Sequence, residues 1–237
     1  MSKEQYRDMQ YNYYNQEAKK WSLENNESRD RVVGWFDDHN NWGDYEHLFE
    51  SIENHGEKIV LDFGCGPGRN LVKYANKFKR IDGVDLSEEN VERARNYLES
   101  QNLTPGNLYV CNGIDLSGIK DDSYDIVMST ICLQHICVHE IRYNYFKEFL
   151  RVLKSGGSIA IQMGFGQNRI ATLSYGYYEN KYDAPGTNGM CDVRVESVDF
   201  LRKDLEEIGF KNFRYCIGPT GPGDRHQAWI YFNADKQ

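Results

Sequence analysis

Short apolar runs alternate with segments of helical periodicity from residue 58 onward, and no other feature constrains the fold as strongly. The first run, 58–63 (KIVLDF), leads straight into glycines, which is typical of a buried strand. The same rhythm places further strands at 81–86, 108–111, 124–130 and 158–163. Because parallel strands of one sheet are connected by right-handed helical crossovers, the alternation predicts an α/β fold with helices on both faces of the sheet.

The segments between these runs carry helix signals. Ser87 stands in an N-cap position, and acidic residues follow it in the first turn. The expected helices are 67–78, 87–101, 138–153 (ended by Gly156 and Gly157) and 196–208 (ended by Gly209). No helix signal separates the last two apolar runs, 210–217 and 228–232, so we expect them to pair as an antiparallel hairpin.

Two stretches fall outside this rhythm. Residues 1–57 are polar and aromatic, and they predict two or three helices, the last near 43–54. Residues 164–194 are rich in Gly, Tyr and Asn, and a loop of that length in a compact domain usually serves as a lid or a binding loop. We therefore expect an N-terminal helical segment (1–57) and a main domain (58–237) with a substrate-binding insert at about 164–194.

Charge and composition disfavour several classes of partner. The net charge is 28 − 36 = −8 and no basic run occurs, which disfavours nucleic acid. No apolar stretch approaches the ~20 residues of a membrane span, and the N-terminus has no apolar signal-peptide core. The six cysteines form no Cys-x-x-Cys pair, so we expect reduced packing residues. These features predict a cytoplasmic protein with a small-molecule partner and indicate no oligomeric state.

The loop after the first strand, 62–68 (DFGCGPG), is the most informative motif. Ligands of open α/β sheets bind at the carboxyl ends of the strands, and glycine lets the backbone approach them closely. The dinucleotide fingerprint Gly-x-Gly-x-x-Gly fails here, because Arg69 stands where its third glycine would be. Asp85, at the end of the second strand, could accept both hydroxyls of a ribose, which suits any nucleoside cofactor. An acid beside the loop, Asp62, suits a cationic ligand.

Four segments, in order, resemble the motifs of class I S-adenosylmethionine-dependent methyltransferases. They read VLDFGCGPGRN, GVDLSEENVERAR, NGIDLSGIKDDSYDIVMSTICLQHI and LRVLKSGGSIAIQM, and they span about residues 58–164. The resemblance implies a doubly wound, Rossmann-like sheet of seven strands with the last strand antiparallel and an N-terminal helical lid. It also implies S-adenosylmethionine as cofactor, which carries a sulfonium and an ammonium and no pyrophosphate.

The resemblance also assigns cofactor contacts. Gly64, Cys65 and Gly66 would approach the methionine part, Asp85 would hold the ribose, and Leu86 would lie against the adenine. The segment that would flank the adenine amino group departs from the Gly-Asp of many relatives and reads Asn112, Gly113, Ile114 and Asp115. The other expected contacts are Asp62, Asn70, Thr130 and, from the lid, Tyr14 and Trp21.

Candidates for catalysis come from two places at the carboxyl edge. Methyl transfer is an in-line displacement that needs a base only when the nucleophile has a proton to lose. His135, after the fourth strand, is one candidate base, or else a structural histidine that caps a helix or lines the cofactor pocket. His226, in the loop 218–227, is the other, unless that loop is simply a solvated hairpin.

Substrate contacts are expected from Asp224 and Arg225 in the same loop and from Tyr175 and Tyr178 in the insert. No metal site is expected, because the acids and histidines of these segments lack ligand spacing.

These features predict a methyltransferase that acts on an oxygen or nitrogen nucleophile of a small polar metabolite, such as a sugar. One alternative is a nucleic-acid or protein methyltransferase, although 129–132 (STIC) lacks the Pro-Pro-aromatic pattern of amino-directed DNA enzymes. The chain could also be a catalytically silent cofactor-binding protein or an NAD-dependent oxidoreductase.

Overall fold

The computed structural model describes residues 1–20, 45–168, 174–183, 191–221 and 224–237. Its strands are β1 (Ile59–Phe63), β2 (Arg80–Asp85), β3 (Leu108–Val110), β4 (Tyr124–Ser129), β5 (Leu153–Phe165), β6 (Ser174–Gly176), β7 (Asp192–Arg194), β8 (Lys211–Pro219) and β9 (Ala228–Asp235). Its helices are α1 (Lys3–Lys20), α2 (Arg69–Tyr74), α3 (Glu88–Ser100), α4 (His139–Val152) and α5 (Val198–Ile208).

Seven of these strands form one sheet in the order β3-β2-β1-β4-β5-β9-β8. The neighbours among β1 to β5 are parallel, whereas β9 is antiparallel to both β5 and β8. This confirms the predicted seven-stranded α/β sheet with its last strand antiparallel. Because β8 therefore runs with β5, the connection from β8 to β9 returns to the carboxyl edge of the sheet, where Phe165 pairs with Ala228.

The central strands β1, β4 and β5 are buried on both faces, which explains why they read as apolar runs, whereas the edge strand β8 is largely exposed. Neighbouring residues of one strand enter opposite layers: Leu61 packs with the α4 side, and Val60 packs with the α2 and α3 side. In β4 the same alternation separates Val127 from Ile126. The core therefore consists of two apolar layers with the sheet between them.

Local signals predicted several helix ends correctly. The Ser87 hydroxyl accepts a hydrogen bond from the Asn90 backbone N–H at 3.2 Å and caps α3. Gly209, with φ of 121°, follows the end of α5. The expected stop of α4 at Gly156 and Gly157 is wrong, because α4 ends at Val152 and β5 begins at once. Both glycines lie within β5, where they exchange hydrogen bonds of 2.8 Å with Lys236.

The N-terminal segment contains one long helix, α1, and a 3-10 turn at Glu46–Phe49 in place of the helix expected near 43–54. Residues 21–44 lie outside the described part of the chain. Helix α1 is fixed to α3 by polar contacts: Ser87 Oγ donates to Asn15 Oδ1 at 2.7 Å, and Arg93 Nη1 donates to the Ala18 carbonyl at 2.9 Å. The expected helical lid is thus anchored beside the carboxyl end of β2.

The insert contains more regular structure than the sequence indicated. β6 and β7 pair in parallel as a small second sheet, and Val195 bridges to Phe165 at the end of β5. Cys191, immediately before β7, forms a disulfide with Cys137, so the expectation that all six cysteines are reduced is wrong for this pair. The pairing joins residues 54 positions apart, which no spacing motif marks. None of the helices that the structure describes is long and apolar enough to cross a membrane.

Candidate active site

A pocket opens at the carboxyl edge of the sheet, between the ends of the central strands and α1. Its wall is formed by side chains and backbone from α1, the loop after β1, the end of β2, the segment after β3, the segment after β4, and α4. It is lined by Tyr6, Arg7, Gln10, Tyr14, Tyr45, Phe63, Gly64, Cys65, Gly66, Arg69, Asn70, Val84, Asp85, Leu86, Asn90, Cys111, Gly113, Thr130, Ile131, Cys132, His135, Ile136 and Tyr145.

The glycine loop forms a backbone cradle on one side of this pocket. Gly64 and Gly66 have φ of 73° and 52°, in the left-handed region that favours glycine. A Cβ added at Gly64 would lie 2.1 Å from Cys132 Sγ, so no side chain fits there. The backbone N–H groups of Gly64 and Cys65 both donate to the Val84 carbonyl, at 2.8 and 3.1 Å, and hold the loop against β2. The loop therefore lets a ligand approach its backbone closely, as the sequence predicted.

Asp85 sits at the end of β2 and lines the pocket. Its Oδ2 accepts from the Gly66 N–H at 2.9 Å, and its Oδ1 accepts from the Ser87 N–H at 2.8 Å. These bonds fix the carboxylate in place. Asn90 Nδ2 also donates to Oδ1, at 3.4 Å, and the carboxylate stands at the pocket wall, where hydrogen bonds from ribose hydroxyls can reach it.

Asp62 is buried and is not itself part of the pocket lining, whereas the nearby Asn70 is. Burial raises the pKa of Asp62 to about 7, against the opposing effects of the Asn70 amide and the Arg69 guanidinium. Asn70 Nδ2 donates to Thr130 Oγ1 at 3.0 Å, which joins two predicted cofactor residues. A cation bound nearby would lower the pKa of this carboxyl and so favour its ionised form.

Of the segment 112–115, Gly113 alone lines the pocket. A Cβ at Gly113 would lie 2.7 Å from Arg7 Cγ and 3.0 Å from Leu86 Cδ1, so Arg7 and Leu86 pack directly against Gly113 and leave no room for a side chain. Asn112 instead stabilises its own turn, in which its Oδ1 accepts from the backbone of Ile114 and Asp115.

Helix α1 supplies the cover of the pocket. Tyr6, Gln10 and Tyr14 all line it, and they stand four residues apart on one helix face. Tyr14 was expected from the sequence, and the same spacing would have indicated Tyr6 and Gln10. Trp21, the other expected lid contact, lies outside the described residues.

His135 lies in a 3-10 turn, Leu133–His135, just after β4, and it lines the pocket. Its Nδ1 is 3.0 Å from the Cys191 carbonyl oxygen and 3.1 Å from Asp192 Oδ1. The His135 side chain is 12% exposed and that of Asp192 only 3%. The structure thus brings a predicted candidate base against a buried carboxylate from the insert.

The other predicted residues, Asp224, Arg225 and His226, do not line the pocket. His226 is buried, is absent from the pocket lining, and packs on Trp229 with ring centroids 4.9 Å apart. Burial lowers the pKa of His226, although Asp192 and Asp224 act in the opposite direction. Arg225 Nη1 lies 3.3 Å from Asp192 Oδ2, so the loop 218–227 reaches His135 through Asp192.

The two tyrosines expected to contact substrate do not line this pocket. Tyr178 packs on Phe200 of α5, with ring centroids 4.8 Å apart, and its hydroxyl donates to the Phe200 carbonyl at 3.3 Å. Tyr175 is half-buried in β6, and the Lys181 ammonium lies 5.8 Å from its ring centroid.

The sequence did not indicate that the backbone is strained at Ile131, four residues before His135. Ile131 has φ of 53°, which is an outlier for a β-branched residue. Its N–H donates to Gln162 Oε1 at 2.8 Å, and this bond holds the strained residue at the pocket wall. Sequence reasoning also missed Cys132 and Ile136, whose positions depend on this turn. Within the described ranges, no three His, Cys, Asp or Glu side chains are arranged to hold a metal ion.

Comparisons with known proteins agree with this geometry. A family model described as "Methyltransferase domain" matches residues 60–157. An S-adenosyl-L-methionine-dependent Diels-Alderase of Neonectria sp. (strain DH2) is 25% identical over 185 residues, which cover 73% of this chain and 66% of the relative. Phosphoethanolamine N-methyltransferase 2 of Caenorhabditis elegans is 27% identical over 185 residues, covering 70% and 41%.

The fold has counterparts among solved structures. A SAM-dependent methyltransferase from Methanosarcina mazei superposes with a TM-score of 0.58 at 22% identity, covering 77% of this chain and 94% of that one. The chain spans less than two thirds of the length of both curated relatives.

Proposed function

We propose that this chain, which belongs to the class I S-adenosylmethionine-dependent methyltransferases, transfers a methyl group to an oxygen or nitrogen nucleophile of a small polar metabolite, a sugar being one candidate. The observation that carries the proposal is the placement of the glycine cradle, Asp85 and His135 around one pocket beneath α1. When bound, S-adenosylmethionine supplies an electrophilic methyl group on a sulfonium sulfur.

The residues of the pocket fit this cofactor. Gly64 and Gly66 line the pocket without side chains, so their backbone would let the methionine part approach closely. Asp85 would accept the ribose hydroxyls, and Leu86, which lines the pocket beside it, would lie against the adenine. Asp62, buried beneath the loop residues, would stabilise the cationic amino-acid end once it ionises.

The lid and the charge of the chain support a small acceptor. Tyr6, Gln10 and Tyr14 line the pocket from α1, where they would cover a small acceptor and shield the reacting groups from water. The net charge of −8 also opposes a nucleic-acid backbone. A nucleic-acid or protein acceptor therefore remains the less favoured alternative.

The test is incubation with methyl-labelled S-adenosylmethionine and a panel of hydroxyl- and amino-bearing metabolites, with RNA, DNA and protein mixtures as separate arms. Mass spectrometry should find the label on a small molecule, with S-adenosylhomocysteine formed in equal amount. Label on a polymer alone would refute the small-acceptor proposal.

A second candidate function follows from one comparison. The relative from Neonectria is named a Diels-Alderase that depends on S-adenosyl-L-methionine, so a related chain can carry a different activity. If this chain uses the cofactor without consuming it, it will bind S-adenosylmethionine with no formation of S-adenosylhomocysteine on any acceptor. The two candidates are therefore separated by the assay above.

A further inference from the structure

Two groups from distant parts of the chain meet at the pocket wall. His135 comes from the turn after β4, and Asp192 is the first residue of β7 in the insert, 3.1 Å away between Nδ1 and Oδ1. We propose that the two act as a pair in methyl transfer, in which Asp192 positions the ring and His135 Nε2 accepts the proton lost by a hydroxyl or ammonium acceptor. This inference rests on the proposed function and narrows its substrate class.

The hydrogen bonds of Nδ1 determine which nitrogen carries the proton. Both of its partners, the Cys191 carbonyl and the Asp192 carboxylate, can only accept. Nδ1 must therefore carry the hydrogen, and in the neutral ring the lone pair is on Nε2. Nε2 has no hydrogen-bond partner within the described part of the chain, and His135 lines the pocket, so this lone pair is available to an acceptor.

Asp192 is built to stay ionised and in place. Burial alone would raise its pKa, but the hydrogen bond and charge of His135, with His226 and Arg225 nearby, bring the pKa of Asp192 down to about 2. Its backbone is held by pairing with Ser174 and by the neighbouring disulfide, Cys137–Cys191. The disulfide also restrains the segment that carries His135, because Cys137 follows His135 closely in the chain. Both members of the pair therefore lie next to a crosslinked cysteine.

The other candidate base, His226, lacks this arrangement. Neither of its ring nitrogens has a hydrogen-bond partner among the described residues, and it does not line the pocket. His226 and Arg225 both face Asp192 from the segment before β9. When they are protonated, their positive charges stabilise the ionised carboxylate of Asp192. The geometry therefore selects His135 as the proton acceptor.

The step balances without a further co-reactant. The O–H or N–H bond of the acceptor breaks, and its proton passes to Nε2. The electron pair released forms the new bond to the methyl carbon, and the electron pair of the carbon–sulfur bond leaves with the sulfur as S-adenosylhomocysteine. An acceptor without a proton to lose, such as a thioether or a tertiary amine, gains nothing from this pair. The substrate class is thus an alcohol, a phenol or a protonated amine.

The first test reads the tautomer directly and needs no substrate. In protein labelled with ¹⁵N-histidine and saturated with S-adenosylhomocysteine, two-bond ¹H–¹⁵N correlations should show His135 with its hydrogen on Nδ1. Asp192→Asn should shift His135 toward the other tautomer or a mixture, because the amide can also donate. A wild-type ring with its hydrogen on Nε2 would overturn the proposal.

The chain offers a matched control. His139 Nε2 lies 2.7 Å from Asp204 Oδ2, a second histidine–carboxylate pair that lies outside the pocket lining. Asp204→Asn should change the His139 signals, leave those of His135 unchanged, and keep turnover within about threefold.

The second test uses the hydroxyl or amine acceptor found in the metabolite panel. Asp192→Asn and His135→Gln should lower kcat by about 100-fold or more with KM nearly unchanged, as general-base losses do. Asp192→Glu should recover part of the rate, because its carboxylate can still accept from His135 Nδ1. An Asp192→Asn enzyme within threefold of wild-type kcat would overturn the pair, whereas no transfer to any acceptor would overturn the proposed function instead.

Discussion

The two sides of the pocket are built in different ways. The proposed cofactor side (residues 62–70 and 85–90) is built on short-range contacts, such as the bond from Gly66 to Asp85 across 19 positions, to which longer-range bonds such as Asn70 to Thr130 are added. The acceptor side (residues 131–137, 191–195 and 224–227) joins distant segments, for example His135 to Cys191 across 56 positions. The cofactor side is therefore marked by local motifs, whereas the acceptor side forms only when the whole chain has folded.

This comparison predicts that the largest loss of stability follows a substitution in the glycine loop, at Gly64. Gly64→Ala should lower the free energy of unfolding by about 3–5 kcal/mol, since a Cβ would collide with Cys132 and the residue has φ of 73°. Gly118→Ala is the matched control, because a Cβ there meets no atom within 4 Å. Urea denaturation of both variants measures the difference, and equal stabilities would show that the cradle is not closely packed.

The second largest effect is expected on the affinity for S-adenosylhomocysteine, through the contact of Asp85 with the ribose. Asp85→Ala should weaken S-adenosylhomocysteine binding by about 2–4 kcal/mol, or roughly 30- to 1000-fold, because two charge-assisted hydrogen bonds are lost. Glu99→Ala, an exposed acid on α3, should leave the affinity unchanged. Titration calorimetry decides the matter, and an unchanged affinity in Asp85→Ala would mean that the ribose binds elsewhere.

The acceptor side should depend on the Cys137–Cys191 disulfide for its stability. Replacing Cys137 and Cys191 together by Ser should lower the free energy of unfolding by about 2–4 kcal/mol, the range typical of a disulfide, whose upper end matches the entropy of closing a loop across 54 positions. The exposed Cys216→Ser should change nothing. Cofactor affinity should fall less than tenfold in the double variant, since the cofactor side does not use this link. Six titratable thiols in the unfolded, unreduced protein would contradict the pairing.

The smallest effect is a pH dependence on the cofactor side. Burial raises the pKa of Asp62 from 3.8 to about 7, so the folded protein holds this proton where the unfolded chain has lost it. Between about pH 4 and 7 this group therefore makes the free protein less stable as pH rises. A cationic ligand favours the ionised form, so S-adenosylhomocysteine affinity should rise with pH by at most tenfold per unit and level off above 7.

Asp62→Asn is the comparison for this dependence, because it cannot ionise. The difference in affinity between wild type and variant should vary with pH in that window and be constant above it. A wild-type affinity that is flat from pH 5 to 7 would show that Asp62 does not sense the ligand.

The same contrast explains what the sequence could predict. The strand–helix alternation, the hairpin of the last two strands, the Ser87 cap and the placing of Gly64 and Asp85 at the pocket follow from local patterns that the backbone must satisfy. The pairing of β6 with β7 and the contact of Asp192 with His135 depend on tertiary contacts that no residue spacing encodes. The start of β5 directly after α4 was also missed, because the ladder with the end of β9 outweighs the local preference of two glycines for a turn.

The most direct test of the account is a crystal structure of the chain with S-adenosylhomocysteine bound. That structure should show the ribose hydroxyls on the Asp85 carboxylate, the adenine against Leu86, and His135 Nε2 facing the side of the sulfur from which the methyl group leaves. A ribose away from Asp85, or a sulfur on the far side of the pocket from His135, would contradict it.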